Sequence, residues 1–248
     1  MSVLAHRGGR GPWRQNTVES FSAALRLGAD GVEFDVRRAA CGTLVVHHDP
    51  CIPGLGPVHL LRREQLPSWV PTLAQALDAC SGAAVDVEIK NAAHEPGYDP
   101  SESIAAEVLA ALSGTAGREA AAPRSRVVVS SFSAATASAL VSAGAGVPIG
   151  LLVGPRSDVR AAFERATALG CSALHTFHLG VTSRFVGEVH DVGMAVVAWT
   201  VNEPQRVEAV LEAEVDAIVS DDVPEVLRAT RVARGLDRGG GSRGESPA

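Results

Sequence analysis

Short apolar runs rich in Val, Ile and Ala alternate with stretches of helical period along nearly the whole chain, the pattern of a parallel α/β fold. Eight runs read as strands: Val3–His6, Asp30–Val36, Ala83–Lys90, Arg126–Ser131, Val147–Val153, Ser172–Thr176, Met194–Thr200 and Val215–Ser220. Each is followed by a segment of helical period: Thr17–Leu27, Leu73–Ala79, Ser101–Leu112, Ala134–Ala143, Ser157–Leu169, Thr182–Val192, Pro204–Glu212 and Pro224–Ala233. The run from Met194 to Trp199 is apolar without alternation, as expected of a strand covered on both faces. Gly28, Gly144, Gly170 and Gly193 each stand between a helical stretch and a strand, where a left-handed C-terminal cap is wanted. Eight such units with right-handed crossovers close most simply into a (β/α)₈ TIM barrel. An open doubly wound sheet is the alternative.

One piece breaks the rhythm. Thr43–His48 reads as an extra strand after the second one, followed by the Pro- and Gly-rich stretch 50–57 and polar text to Pro71. We expect it to form a short insertion over one barrel mouth. Residues 1–235 then form a single barrel domain. Leu236–Ala248, with too little apolar surface to offset its ordering entropy, reads as a disordered tail.

The length of 248 residues suits one parallel barrel. With 28 acidic and 22 basic side chains the net charge is −6, and no basic stripe is present. That argues against a nucleic-acid partner, because non-specific binding to a phosphate backbone needs clustered Lys and Arg. The four cysteines, Cys41, Cys51, Cys80 and Cys171, form no C-x-x-C pair, so neither a zinc knuckle nor a redox dithiol is expected. No transmembrane segment is expected, since no run of about 18 apolar residues occurs. The start of the chain lacks the apolar stretch of a signal peptide. A cytoplasmic protein is the expectation, and no pattern of residues specifies an oligomeric state.

In a parallel barrel the residues at the C-terminal ends of the strands converge on one face. Here those positions carry His6 and Arg7, Glu33 and Asp35, His48 and Asp49, and Glu88 and Lys90. Glu33 and Asp35 are two apart in an extended run and share its inner face, and Glu88 is placed likewise on the next barrel strand, with Asp86 and Lys90 on the same side. Three carboxylates without His or Cys ligands suit a hard divalent cation, Mg²⁺ or Ca²⁺. The alternative is a structural ion-pair network in which Arg7 and Lys90 neutralise the acids. His6 and His48 adjoin strand ends with charged neighbours and are candidates for general acid and general base. No spacing marks His47, His59, His94, His175, His178 or His190, and His190 reads as a helix-surface residue. The glycines after His6 form either a close approach for an anion or a simple tight loop, with Arg7 offering a fork suited to a phosphoryl group.

Several of these residues lie in ordered motifs: His6-Arg7-Gly8, Asn16-Thr17, Glu33-Phe34-Asp35-Val36, Val45-Val46-His47-His48-Asp49, Glu88-Ile89-Lys90, Trp199-Thr200-Val201-Asn202 and Val215-Asp216-Ala217-Ile218-Val219-Ser220-Asp221. In this order and spacing, from about residue 4 to residue 227, the chain resembles the glycerophosphodiester phosphodiesterase family, whose fold is a (β/α)₈ barrel. The resemblance implies a metal-dependent hydrolase that splits small-molecule glycerophosphodiesters into glycerol phosphate and an alcohol. It implies His6 and His48 as the acid/base pair, His48 being preferred to His47 because it directly precedes Asp49. It further implies Glu33, Asp35 and Glu88 as ligands of the cation, Arg7 and Lys90 as partners of the phosphate, and Asn16 as an ordering residue. Trp199 reads equally as a wall against the substrate or as core packing. Two other readings share the same residues: a phosphodiesterase directed at lysophospholipids, and a barrel that binds phosphodiesters without turnover. The chain departs from the family in reading Arg14-Gln15-Asn16-Thr17 where Pro-Glu-Asn-Thr is usual. It departs again in a shorter stretch after His48-Asp49, which leaves the alcohol open.

Overall fold

The expected alternation of strand and helix is present in the computed structural model, which describes residues 1–114, 126–144 and 146–233. In chain order the first elements are β1 (Ser2–His6), α1 (Val18–Arg26) and β2 (Gly31–Arg38), then β3 (Leu44–Val46), β4 (Cys51–Ile52), β5 (Gly56–Pro57) and α2 (Leu73–Ala79). They are followed by β6 (Ala84–Ile89), α3 (Ser103–Gly114), β7 (Val127–Ser131), α4 (Ala134–Ser142), β8 (Ile149–Val153) and α5 (Val159–Leu169). The chain continues through β9 (Ala173–Phe177), α6 (Ser183–His190), β10 (Ala195–Trp199), α7 (Pro204–Glu212), β11 (Ala217–Ser220) and α8 (Val223–Ala233). Thr17, Thr72, Ser133, Asp158 and Thr182 each start a helix by accepting a backbone N–H with the side chain.

Eight of the strands pair in parallel in the order β1, β11, β10, β9, β8, β7, β6, β2, and β1 also pairs with β2. The sheet therefore closes, which decides for the (β/α)₈ barrel and against the open doubly wound alternative. Phe21 of α1 stacks on Phe34 of β2 with ring centroids 5.4 Å apart, one contact of the apolar layer between helices and barrel. The four glycines expected to end helices all have positive φ. Strand β2 extends two residues beyond the expected Val36, to Arg38, because antiparallel β3 pairs with it there.

The insertion after β2 carries a small core of its own, built from Ala39, Val45, Ile52, Val58, Leu61, Leu66 and Val70 with Trp69 against it. It begins at the C-terminal end of β2 and so lies at the barrel mouth where the strand-end residues meet. Among the described residues, no helix is long and apolar enough to cross a membrane. Residues 236–248, expected as a tail, lie outside the described residues.

Candidate active site

Strand β2 is buried along seven of its eight residues, yet it alternates in chemistry. Val32, Phe34 and Val36 join the apolar layer, while Glu33 and Asp35 face inward. Parallel register then lines up the acids and histidine of neighbouring strands: His6 beside Glu33, Glu33 beside Asp86, Asp35 beside Glu88, and Glu88 beside Ser130. Glu33, Asp35 and Glu88 are all buried, and each offers a carboxylate oxygen within 4.8 Å of the others. Burial, with repulsion from Asp35 and Glu88, raises Glu33 well above the ordinary carboxylate range. Burial also pushes Glu88 up to about 8, against the pull of the Lys90 ammonium. For Asp35 burial acts in the same direction, but Lys90 and Arg7 outweigh it and hold the acid well below its usual value. An all-oxygen set of three like-charged ligands fits a hard divalent cation, which would remove the mutual repulsion.

The cations around this cluster are placed by strand ends and tight turns. Lys90 Nζ lies 3.0 Å from Asp35 Oδ1 and 2.5 Å from Glu88 Oε1. Arg7 Nε lies 3.1 Å from Asp35 Oδ2, and Asn16 Nδ2 donates to the same oxygen at 2.8 Å. Arg7 and Asn16 both hold left-handed backbone, φ 52° and 57°, which is uncommon outside glycine and is stabilised here by their joint hold on Asp35. The next residue, Gly8, has φ 88°, and a Cβ there would come 2.3 Å from Ser20 Oγ of α1, so only glycine lets the chain turn so closely over the helix.

Both candidate histidines carry a carboxylate on Nδ1. His6 Nδ1 lies 2.7 Å from Asp221 Oδ1, and His48 Nδ1 lies 2.7 Å from Asp49 Oδ1. An ionised carboxylate only accepts, so each Nδ1 bears a proton and each Nε2 is the ring atom left to exchange one. Asp221 is itself fixed by Asn202, whose Nδ2 donates to Asp221 Oδ2 at 2.8 Å while its Oδ1 accepts the Asp221 backbone N–H at 2.9 Å. His48 is anchored through its main chain. Arg37 Nε donates to the His48 carbonyl at 2.8 Å, and the His47 N–H donates to the Asp35 carbonyl at 2.9 Å. Burial, together with Lys90 and Arg7, lowers the His48 pKa against the pull of Asp35 and Asp49.

These groups surround a cavity of about 140 Å³ at the C-terminal mouth. His6, Arg7, Glu33, His48, Glu88 and Lys90 all line it. Asp35 does not, since Lys90, Arg7 and Asn16 enclose its carboxylate. Trp199 also lines the cavity while packing edge-on against Phe132 and Phe177 at 5.4 and 5.6 Å, so it is wall and packing at once. Its indole Nε1 donates to the His175 carbonyl at 3.0 Å.

Three further residues, His175, Asp221 and Asn202, belong to the site without a local sequence signal of their role. His175, which no spacing marks in the sequence, lines the floor of the cavity, 1% exposed, with Nδ1 3.1 Å from Asp86 Oδ2. Its place inside β9, two residues from the strand end, is the only pointer to it. Asp221 and Asn202, the partners of His6, end motifs noted along the chain without a role. Of the remaining histidines, His190 lies on α6 and pairs with Asp216 at 2.9 Å, as a surface residue should.

A model of the glycerophosphoryl diester phosphodiesterase family matches residues 6–225. The glycerophosphodiester phosphodiesterase of Caldanaerobacter subterraneus subsp. tengcongensis is 27% identical over 245 residues, an alignment spanning 91% of this chain and 95% of that protein. The "probable glycerophosphodiester phosphodiesterase 2" of Mycobacterium tuberculosis is 31% identical over 261 residues, spanning 94% of this chain and 91% of its own. Among solved structures, an Oleispira antarctica phosphodiesterase in complex with the product sn-glycerol-3-phosphate superposes with a TM-score of 0.74 at 24% identity, covering 93% of this chain and 96% of that one. Barrel, strand-end residues and family match span the same stretch, and the chain belongs to the glycerophosphoryl diester phosphodiesterase family.

Proposed function

We propose that this chain hydrolyses water-soluble glycerophosphodiesters to glycerol phosphate and an alcohol, with Mg²⁺ or Ca²⁺ bound by Glu33, Asp35 and Glu88. The observation that carries the reading is the pair of imidazoles, each fixed by a carboxylate on Nδ1, that line one cavity with Glu33, Glu88 and Lys90. A cation so held would supply positive charge to the phosphate oxygens as the transition state forms. Arg7 and Lys90 add fixed positive charge on the same group, and their ion pairs with Asp35 keep them in place.

His6 and His48 serve as an exchangeable acid/base pair. One Nε2 takes the proton from the glycerol hydroxyl next to the phosphate as that oxygen attacks phosphorus. The other, protonated, hands its proton to the departing alkoxide as the P–O bond to the alcohol breaks. Water then opens the cyclic phosphate with the roles reversed. Asn16 acts as a positioning residue through Asp35. Trp199 forms the apolar wall against the substrate.

A cavity of about 140 Å³ lined mainly by charged and polar side chains favours a soluble diester over a lysophospholipid, whose acyl chain would need an apolar channel. The Oleispira protein's bound product is itself the glycerol phosphate half of such a diester. Four unpaired cysteines suit a reducing compartment such as the cytoplasm.

The test is to incubate the protein with glycerophosphocholine and to quantify glycerol phosphate and choline, with and without EDTA. Release of both products, abolished by EDTA and restored by Mg²⁺ or Ca²⁺, is expected. Binding without consumption would leave only a phosphodiester-binding barrel. Full turnover in EDTA would remove the cation from the mechanism.

A further inference from the structure

Beside the central cavity lies a second one, also of about 140 Å³, between the turn that follows β1 and the insertion. The two share Arg7 and His48 as a common wall. The outer cavity is framed in addition by Arg14, His47, Asp49 and Trp69. Arg7, His48, Asn16 and Asp49 already serve the proposed hydrolysis, whereas Arg14, His47 and Trp69 have no task in it, and the cavity's volume is several times that needed for a water molecule.

Its charge is lopsided. Two guanidinium groups, Arg7 and Arg14, face a single carboxylate, Asp49, and that carboxylate is already bound to His48. Arg14 is exposed, yet it is not free to wander: its guanidinium lies over the Trp69 ring, 4.0 Å from the centroid. A cation stacked on an indole is ordered along its planar face and keeps its N–H edge available for hydrogen bonding. Trp69 is in turn fixed against the small core of the insertion, so the stack is part of the fold. The His47 ring is held next to it, with Nδ1 donating to the Asp49 carbonyl at 2.8 Å and ring centroids 5.8 Å from Trp69. The adjacent Gln15 is a neutral amide and contributes no opposing charge.

We infer that the cavity framed by Arg14, Trp69 and His47 is a second anion subsite, which takes a carboxylate or phosphate carried on the alcohol of the diester. The inference rests on the proposed hydrolysis, because it puts the reacting phosphate in the central cavity and the alcohol outside it. The alcohol is the half that reaches the outer cavity: the central one closes inward on the buried pair Asp86 and His175, whereas the outer one is rimmed by exposed Arg14, Gln15 and Asp49. Arg14 thereby becomes a specificity residue for acidic head groups.

Glycerophosphoserine and glycerophosphoethanolamine differ by one carboxylate and make the test. The wild-type protein should turn over the serine diester with a kcat/KM about tenfold higher at low salt, a preference that salt screens away. Arg14→Gln should abolish that preference while leaving kcat/KM for the ethanolamine diester within about twofold, and Arg14→Lys should retain part of it. Equal turnover of the two diesters by wild type and variant alike overturns the subsite and leaves the hydrolase intact. Turnover of neither diester overturns the hydrolase. The subsite is then decided by calorimetry in EDTA, where glycerophosphoserine must bind wild type more tightly than Arg14→Gln, and equal binding refutes it.

Discussion

His6 Nδ1 and Asp221 Oδ1 sit 2.7 Å apart although the two residues are separated by 215 positions in the chain. Asp221 fixes the His6 tautomer and turns its Nε2 toward Glu33, 4.0 Å away. Replacing Asp221 with Ala should lower kcat on glycerophosphocholine about 10²-fold with little change in KM, toward the lower end of the loss expected for His6→Ala or His48→Ala, about 10²–10⁴-fold. Steady-state kinetics of the three variants check this. A rise in KM at unchanged kcat would assign Asp221 to substrate binding instead.

Lys90 and Arg7 supply two positive charges against the three carboxylates Glu33, Asp35 and Glu88. Glu88→Gln removes one anionic ligand oxygen, so half-maximal activity should require at least about tenfold more Mg²⁺ or Ca²⁺ than the wild type needs. Cation titration of activity in both proteins measures this, and an unchanged requirement would take Glu88 out of the ligand set.

Asp99 is buried away from the site and accepts hydrogen bonds from the backbone N–H groups of Ser101 and Ile104 and from both serine hydroxyls of residues 101 and 103. Burial alone would raise its pKa, but these donors hold it well below the ordinary value. A depressed folded-state pKa gives stability that is present above the unfolded value, near 3.9, and is lost as pH falls toward the folded one. Asp99→Ala should therefore cost about 2–3 kcal/mol at neutral pH. The difference in Tm between the two proteins should stay constant from about pH 5 to 8 and shrink below about pH 4.

Gly150 makes room for His175. A Cβ at position 150 would stand 2.5 Å from His175 Nε2, inside the buried floor of the cavity. Gly150→Ala should destabilise the barrel by about 1–3 kcal/mol, the usual penalty of overpacking. The double variant Gly150→Ala, His175→Ala should recover much of that loss, and denaturant melts of the set measure the coupling. Additive effects would show that the clash is relieved elsewhere.

Residue order by itself determined the eight strand–helix units, the inward acids of β2 and β6, and the histidines at the mouth. These follow from local rules: a two-residue period puts Glu33 and Asp35 on one face, and a strand end puts His6 and Lys90 at the opening. The insertion was legible as a break in rhythm. Its small core around Val45 and Val70, and the Arg37 bond that seats His48, were not.

Only the closed barrel decided the rest. Pairing of β1 with β11 brings Asp221 to His6, and the turn after β1 meets the insertion where Arg14 lies over Trp69. His175 looked like any other histidine until β8 and β9 placed it beneath the carboxylates, opposite Asp86. Periodicity carries information over a few residues, because it reflects which way neighbouring side chains point. Which distant side chains share a charge or a proton is decided when the sheet closes and burial makes every unpaired polar group costly.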